Sequence, residues 1–515
     1  MASNVLSHVQ SQEGNTARTV DTEFVLRDVE NMLDDIDRNK GILMDQLNLD
    51  ELRQVADDLF RASDSSAGLV FWQIDSWPVD LPLDRLGLLF AALALHNLSC
   101  PDDRVATALF DTSTRITNEY AGESTIDLVL TLFIQHMYVL RTGTANRSRG
   151  LLAQSVQTAH DLGIHLGSYD NASRSLWLYL ILCFADQYCA LTHNTLPLIN
   201  ATALPSNLFD SLIEQHPRVR RLIQLILLNG QILQSFYTQA QDYEDVVRLE
   251  SAMGHVCASI GRPASSDWLN DSRSEVWYEG LVQIHVFWTR IMLRAPFLSS
   301  KTHWVASLSI CLRAAQMLLT IYFTVSTPAI RLIITSTLHG HESHAKSLWR
   351  EKVKLPPTWR QVRRITTSMF IIFLAFWKGE VAYDEACRSY AMAIFLLEFQ
   401  RTRWGSNIHD AISSLRSLAS LSGFQLQPFM EQLIPEANDE YLTVITGTSP
   451  STYNAEQWNS HNMPDDILPG EEEPNTSSVP SQWWEHGNLD TFLGTAPAYN
   501  YLNFDLWDMA NEYTW

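Results

Sequence analysis

The last 99 residues of this 515-residue chain, 417–515, contain no lysine and no arginine, and the first 99 contain no cysteine. Phosphate backbones are held by clustered Lys and Arg, so the first absence excludes the C-terminal stretch as a nucleic-acid grip. Structural zinc needs thiolates or imidazoles close together, so the second excludes a cysteine-rich zinc module at the start. Glycine and proline are sparse, at 21 and 19. Few turn formers argue against a many-stranded β architecture and for long helices. The six cysteines, Cys100, Cys183, Cys189, Cys257, Cys311 and Cys387, include no closely spaced pair. That excludes a CxxC redox or metal motif and predicts buried, reduced thiols in an intracellular protein. The start, Met1-Ala2-Ser3-Asn4-Val5-Leu6-Ser7-His8, lacks the apolar run of a secretory signal. The apolar run 176–191 is broken by Asp186 and is shorter than the roughly 20 residues of a bilayer span. The run 370–377 is shorter still. The expectation is a soluble, non-secreted chain with no membrane partner.

What is present is apolar surface in helical register. Hydrophobic residues make up 46% of the chain and charged residues 18%. Phe24, Val25, Val29, Met32, Leu33 and Ile36 follow three- and four-residue steps, as do Leu52, Val55 and Leu59. Pro82-Leu83-Asp84 opens a strongly apolar helix, with proline where its missing N–H costs little. Further helices are predicted at about 101–120, 123–141, 147–163, 172–193, 208–241, 244–260, 272–299, 301–323, 358–378, 380–401 and 407–421. The stretch 326–357 reads as a long connection with one short helix. The fold class predicted is all-α. It has a disordered lead-in over 1–20, one large helical regulatory domain over 21–435, and a mostly disordered acidic, aromatic tail over 436–515.

Residues 417–515 hold 15 Asp and Glu and 14 aromatic residues, about two-thirds of the net charge of -22. Plain solubilising tails are poor in aromatics. Acidic residues interleaved with large hydrophobic ones mark an amphipathic activation segment, in which charge keeps the rings available to a partner's groove. Leu502, Leu506, Met509 and Tyr513 fall on one face of an induced helix, and Phe504 and Trp507 complete the apolar set. Packing back on the helical domain, or simple solubilisation, are the alternatives for this tail.

A stretch within 131–207 carries a resemblance. Arg141-Thr142-Gly143 ends a helix, and Ser155-Val156-Gln157-Thr158-Ala159-His160-Asp161-Leu162-Gly163-Ile164-His165 closes the next. Ser173-Arg174-Ser175-Leu176-Trp177 opens a third helix, which carries Asp186 and is followed by Leu196-Pro197 and Ala203-Leu204-Pro205. These residues resemble the middle regulatory region of fungal zinc-cluster transcription factors, with Gly163, His165, Arg174, Trp177, Asp186 and Pro197 at motif positions. Gly163 is expected to cap a helix in the left-handed region with Ile164 packing back, and Asp186 to need a partner.

The resemblance implies a nuclear regulator of transcription, an activator of a dedicated metabolic or secondary-metabolite pathway, and not an enzyme. The tail would contact the transcription machinery, and the body could pair with a second copy of itself. With no zinc-cluster contact to DNA of its own, the chain would reach promoters through a separate DNA-binding protein. No metal or cofactor is implied. His339-Gly340-His341-Glu342-Ser343-His344 has metal-like spacing but no accompanying carboxylate or cysteine cluster. Asp34-Asp35-Ile36-Asp37 approaches a magnesium motif for an isoprenoid diphosphate, with Arg38 where the pattern needs an acid. Asn270-Asp271-Ser272-Arg273-Ser274 approaches the second such motif and then has Tyr278 in place of Glu. A helical isoprenoid-diphosphate enzyme and a non-catalytic helical scaffold are the competing readings.

Overall fold

A computed structural model describes residues 26–38, 46–62, 82–98, 103–120, 122–142, 145–167, 172–193, 195–217, 219–238, 242–260, 274–339, 358–404, 408–437 and 442. The lead-in over 1–20 and the tail segment 502–513 lie outside the described residues. Among the described residues every regular element is a helix, and no strand occurs. The helices are α1 Leu26–Arg38, α2 Leu49–Ala62, α3 Leu83–Asn97, α4 Asp103–Glu119, α5 Ile126–Thr142, α6 Ala145–Asp161, α7 Ala172–His193 and α8 Asp210–Gln215. They continue with α9 Val219–Thr238, α10 Tyr243–Ile260, α11 Ser274–Arg294, α12 Trp304–His339, α13 Trp359–Trp377, α14 Tyr383–Trp404, α15 His409–Leu421 and α16 Gln427–Leu433.

The chain forms two compact units. The first comprises Met1–Cys189, Leu196–Gln231 and Asp271–Tyr278, and the second Ala190–Thr195, Ile232–Asn270 and Glu279–Trp515. The sequence suggested one helical domain over 21–435, and the helices of that span are shared between the two units. The units interleave along the chain, which passes from one to the other within α7, α9 and α11.

In the first unit α3 is the central helix. All its residues from Leu86 to Leu95 are buried. A helix that is apolar all round has no face for water and must be enclosed. α4 and α5 pack along it. Buried polar side chains set their register: Ser113 Oγ donates to the Gly87 carbonyl at 2.8 Å, and Gln135 Nε2 donates to Ser113 Oγ at 2.9 Å and to Thr117 Oγ1 at 3.0 Å. Ser155 Oγ on α6 donates to the Val129 carbonyl on α5 at 2.8 Å.

The second unit is built on α12, α13 and α14, with α15 and α16 closing one side. Its innermost segment, Ala391 to Leu397 of α14, is buried on every side. α13 starts in a capping box, Thr358 bonding the Gln361 amide while the Gln361 side chain accepts from the Thr358 amide. It ends at Gly379, whose φ of 75° lets the Glu380 amide reach back to the Ala375 carbonyl at 2.8 Å.

α12 departs from the sequence expectation. The expected helix stops near residue 323, yet α12 runs on through Pro328 to His339. Pro328 removes the N–H that would bond the Thr324 carbonyl. Ala329, Ile330 and Ile334 beyond it are buried, which anchors the continuation in the core. Among the described residues Trp304–Thr335 is the one helix long and apolar enough to cross a membrane, and 56% of its most apolar window is buried inside the protein.

α10 is tied to the rest of the second unit by charge. Glu250 pairs with Arg294, whose guanidinium is nearly buried, and with Arg290 at 3.7 Å. Arg294 also lies over the Tyr243 ring at 5.1 Å, and Tyr243 stacks on His303 at 3.7 Å. Removing one partner of an enclosed ion pair strands the other, at about 3–5 kcal/mol. Glu250→Gln is therefore expected to lower the chemical-denaturation midpoint of the full chain markedly. A midpoint equal to wild type would show that the pair does not hold α10.

Candidate functional site

α7 is the axis of the site suggested by sequence, and its two ends are fastened differently. At its start, Arg174 Nε donates to the Gln46 carbonyl at 3.0 Å, and its terminal nitrogen reaches Asp127 Oδ1 at 2.9 Å. Asp127 also faces Arg85 at 3.6 Å. One guanidinium thus joins α7, α5 and the turn before α2. Trp177, one turn on and half-buried, meets the His216 ring edge-on at 5.6 Å.

Gly163 has φ 70° and its amide bonds the His160 carbonyl at 2.9 Å, ending α6. That left-handed geometry strains any side chain with a Cβ. Ile164 beyond it is buried. His165 packs against His160 with ring centroids 4.6 Å apart, and His160 Nε2 shares a hydrogen bond with Tyr179 Oη at 3.0 Å. Burial, and then the charge of His165, lower the His160 pKa, with Asp161 opposing. Burial raises the pKa of the Tyr179 phenol, so Tyr179 stays the proton donor or a neutral acceptor.

Asp186 is 2% exposed, on an otherwise apolar stretch of α7. It accepts hydrogen bonds from the backbone amides of Ile199, at 2.8 Å, and Leu198. From α6, Arg149 donates to the Leu196 carbonyl at 3.0 Å. The loop bearing Pro197 is thus held by a carboxylate and a guanidinium. Burial pushes the Asp186 pKa up to about 6, against the two amides and Arg149, which favour the charged form. Next to it Gln187 Nε2 donates to the Ile226 carbonyl of α9 at 2.8 Å.

The structure therefore brings Asp186 together with the Pro197 loop, and Gly163 and His165 with His160, which bonds Tyr179. Arg174 and Trp177 sit at separate contacts. The positions act as braces around α7, with no shared cavity chemistry among them. Arg149, Tyr179 and Gln187 are the bracing residues that sequence spacing did not reveal; each meets a partner 19 to 47 residues away. Among the described residues no group of three or more His, Cys, Asp or Glu could hold a metal ion. Residues 340–344 of the histidine-rich motif and 270–273 of the second acidic motif lie outside the described residues. Asp34 and Asp37 face Arg53 of α2 at 3.0 and 3.8 Å, and Asp35 faces His96 of α3 at 3.9 Å. Cys183, Cys189, Cys311 and Cys387 are buried free thiols.

The Asp186 clamp has a pH signature. Its folded pKa lies above the ordinary value of about 3.9 in an unfolded chain. The folded state holds the proton more tightly, so its stabilising contribution is full below about pH 4 and is lost as pH rises through about 6. The shift corresponds to about 3 kcal/mol. The unfolding midpoint of Asp186→Asn, which keeps an acceptor but does not ionise, is expected to gain on wild type between pH 4.5 and 7. A constant difference over that window would exclude the shift. Asp186→Ala is expected to cost stability at both pH values, since it leaves the Leu198 and Ile199 amides without their acceptor. Compared with known proteins, this chain matches no family model, no curated protein and no solved structure.

Proposed function

We propose that this chain is a regulator of transcription, an activator acting in the nucleus on the genes of a dedicated metabolic or secondary-metabolite pathway. The observation that carries the reading is the composition of the C-terminal stretch 417–515: 15 acids, 14 aromatic residues and no Lys or Arg. Such a stretch docks its aromatic residues in a partner's groove while its charges keep it soluble. The partner is the transcription machinery. In this proposal DNA is reached through a separate DNA-binding protein, since the six scattered cysteines of the sequence form no zinc-cluster spacing.

The helical body supports the same reading. Its residues Gly163, Arg174 and Asp186, at the positions that resemble the fungal regulatory region, each hold a helix end or a loop in place. They brace a binding scaffold; none is arranged with a second group for proton transfer or nucleophilic attack. A second copy of the chain remains a partner within this proposal.

The test is a tethered reporter in a fungal cell. Fused to a heterologous DNA-binding module, residues 436–515 are expected to activate transcription strongly. Replacing Phe504, Leu506 and Trp507 together by alanine is expected to reduce the output at least tenfold, because the anchors of a docking helix carry most of its affinity. Output unchanged by the triple substitution would remove the tail's role, and no output from the unmodified fusion would remove the activator reading.

A further inference from the structure

At one end of the second unit the start of α12, the end of α13, the start of α14 and the turn between α15 and α16 come together. The contacts there are aromatic. Phe376 meets Phe424 edge-on at 4.7 Å, and the Tyr383 ring lies 6.3 Å from Phe376 and 5.7 Å from Phe424. Tyr383 Oη donates to the Gly423 carbonyl at 2.8 Å and accepts from the Gln425 amide at 2.9 Å, which pins the α15–α16 turn to α14. Lys378, just past α13, lies over the Trp304 ring of α12 at 5.4 Å.

This pinned end remains apolar on its outside. Leu421, two residues before Gly423, is 76% exposed, and Trp377, next to Phe376, is 65% exposed. These are the two most exposed large apolar side chains among the described residues. Tyr383 is also exposed, and Trp304 is only half-buried. So is Phe373, which packs on Trp377 at 6.1 Å. Single exposed apolar residues are ordinary, whereas a group of them on a fixed framework marks a docking place. Lys301 and Lys378, both exposed, stand on its α12 side.

The path of the chain supplies the occupant. α16 begins three residues after Phe424, and the described chain ends in the core of the same unit at Leu442. Beyond Leu442 the sequence runs on for 73 residues, 443–515, and 59 of these, 443–501, precede Leu502. A chain of 59 residues reaches up to about 200 Å, against about 28 Å for the whole of α13. Tethering makes the encounter intramolecular, so a face of a few side chains suffices. A second copy lacks that advantage, and each copy brings a net charge of -22. In helical register Asp505, Asp508 and Glu512 form a stripe beside the apolar face Leu502, Leu506, Met509 and Tyr513. An apolar face with one acidic edge fits an apolar patch with lysines on one side.

We infer that the face formed by Trp377, Tyr383, Leu421 and Trp304 receives the chain's own segment 502–513. Leu502, Leu506 and Met509 seat on the rings, and the acidic stripe turns to Lys301 and Lys378. Anchors seated here are withheld from any other groove. That consequence alone rests on the activator reading; the contact itself does not.

The test uses the full chain with p-benzoylphenylalanine in place of Trp377, a ring for a ring at an exposed position. Irradiated at low micromolar concentration, it is expected to give cross-links within one chain to peptides from 502–513, identified by mass spectrometry. Replacing Leu502, Leu506 and Met509 together by alanine is expected to cut that yield at least about fivefold, because anchors carry most of a docking segment's affinity. The reference places the photoreactive residue at His409, exposed at the opposite end of α15 from Leu421, where at most about a fifth of the yield is expected. If the chain altered at Trp377 does not fold, Leu421 carries the photoreactive residue and the same readings decide. No cross-link to 502–513, or an equal yield from His409, overturns the inference. So does a yield that the alanine substitutions leave unchanged, or cross-linking between two copies in its place. None of these readings involves transcription, so the contact and the activator reading stand or fall separately.

Discussion

A helix without a polar face has to be surrounded, and both units of this protein are answers to that constraint. α3 is buried along its whole middle, and α14 is buried through Ala391–Leu397. Neither can rest on a surface. Each is enclosed by neighbours that turn apolar stripes inward, as α12 does with Leu318, Leu319 and Ile334. The continuation of α12 through Pro328 follows from the same demand. The lost backbone bond costs less than exposing the apolar residues beyond it would.

Enclosure on this scale makes every polar group inside the units consequential. Most are spent on register: Ser113, Gln135 and Ser155 join α3, α4, α5 and α6 by bonds that work at only one alignment. Asp186 is spent on a loop. Burial makes its charge unfavourable and the Leu198 and Ile199 amides partly compensate, so the clamp around Pro197 is held at some cost. Arg364 is spent on a cross-helix contact, donating to Tyr322 Oη of α12 at 3.2 Å.

In α7 the sequence pattern and the structure agree on the helix itself. Its sequence limits, 172–193, are also its limits in the structure. Gly163 shows the left-handed cap that a Gly-Ile pair at a helix end suggests. The partner that Asp186 needs could be inferred, since a carboxylate in an apolar helix cannot stay alone. That the partner is a pair of backbone amides from a loop 12 and 13 residues away is a matter of chain path. The acidic, aromatic composition of the tail is legible without coordinates, because solubility and docking depend on residue type and order.

The sequence by itself determined the helical class, the placement of most helices and the character of the C-terminal stretch. These rest on local quantities: apolar periodicity, scarcity of turn formers, and charge per segment. Only the tertiary structure decided that the helical body is two units, that Pro328 lies within a helix, and that His285 and Trp288 face Arg364. Those outcomes depend on which apolar faces meet across long separations in the chain, and no local pattern encodes that choice.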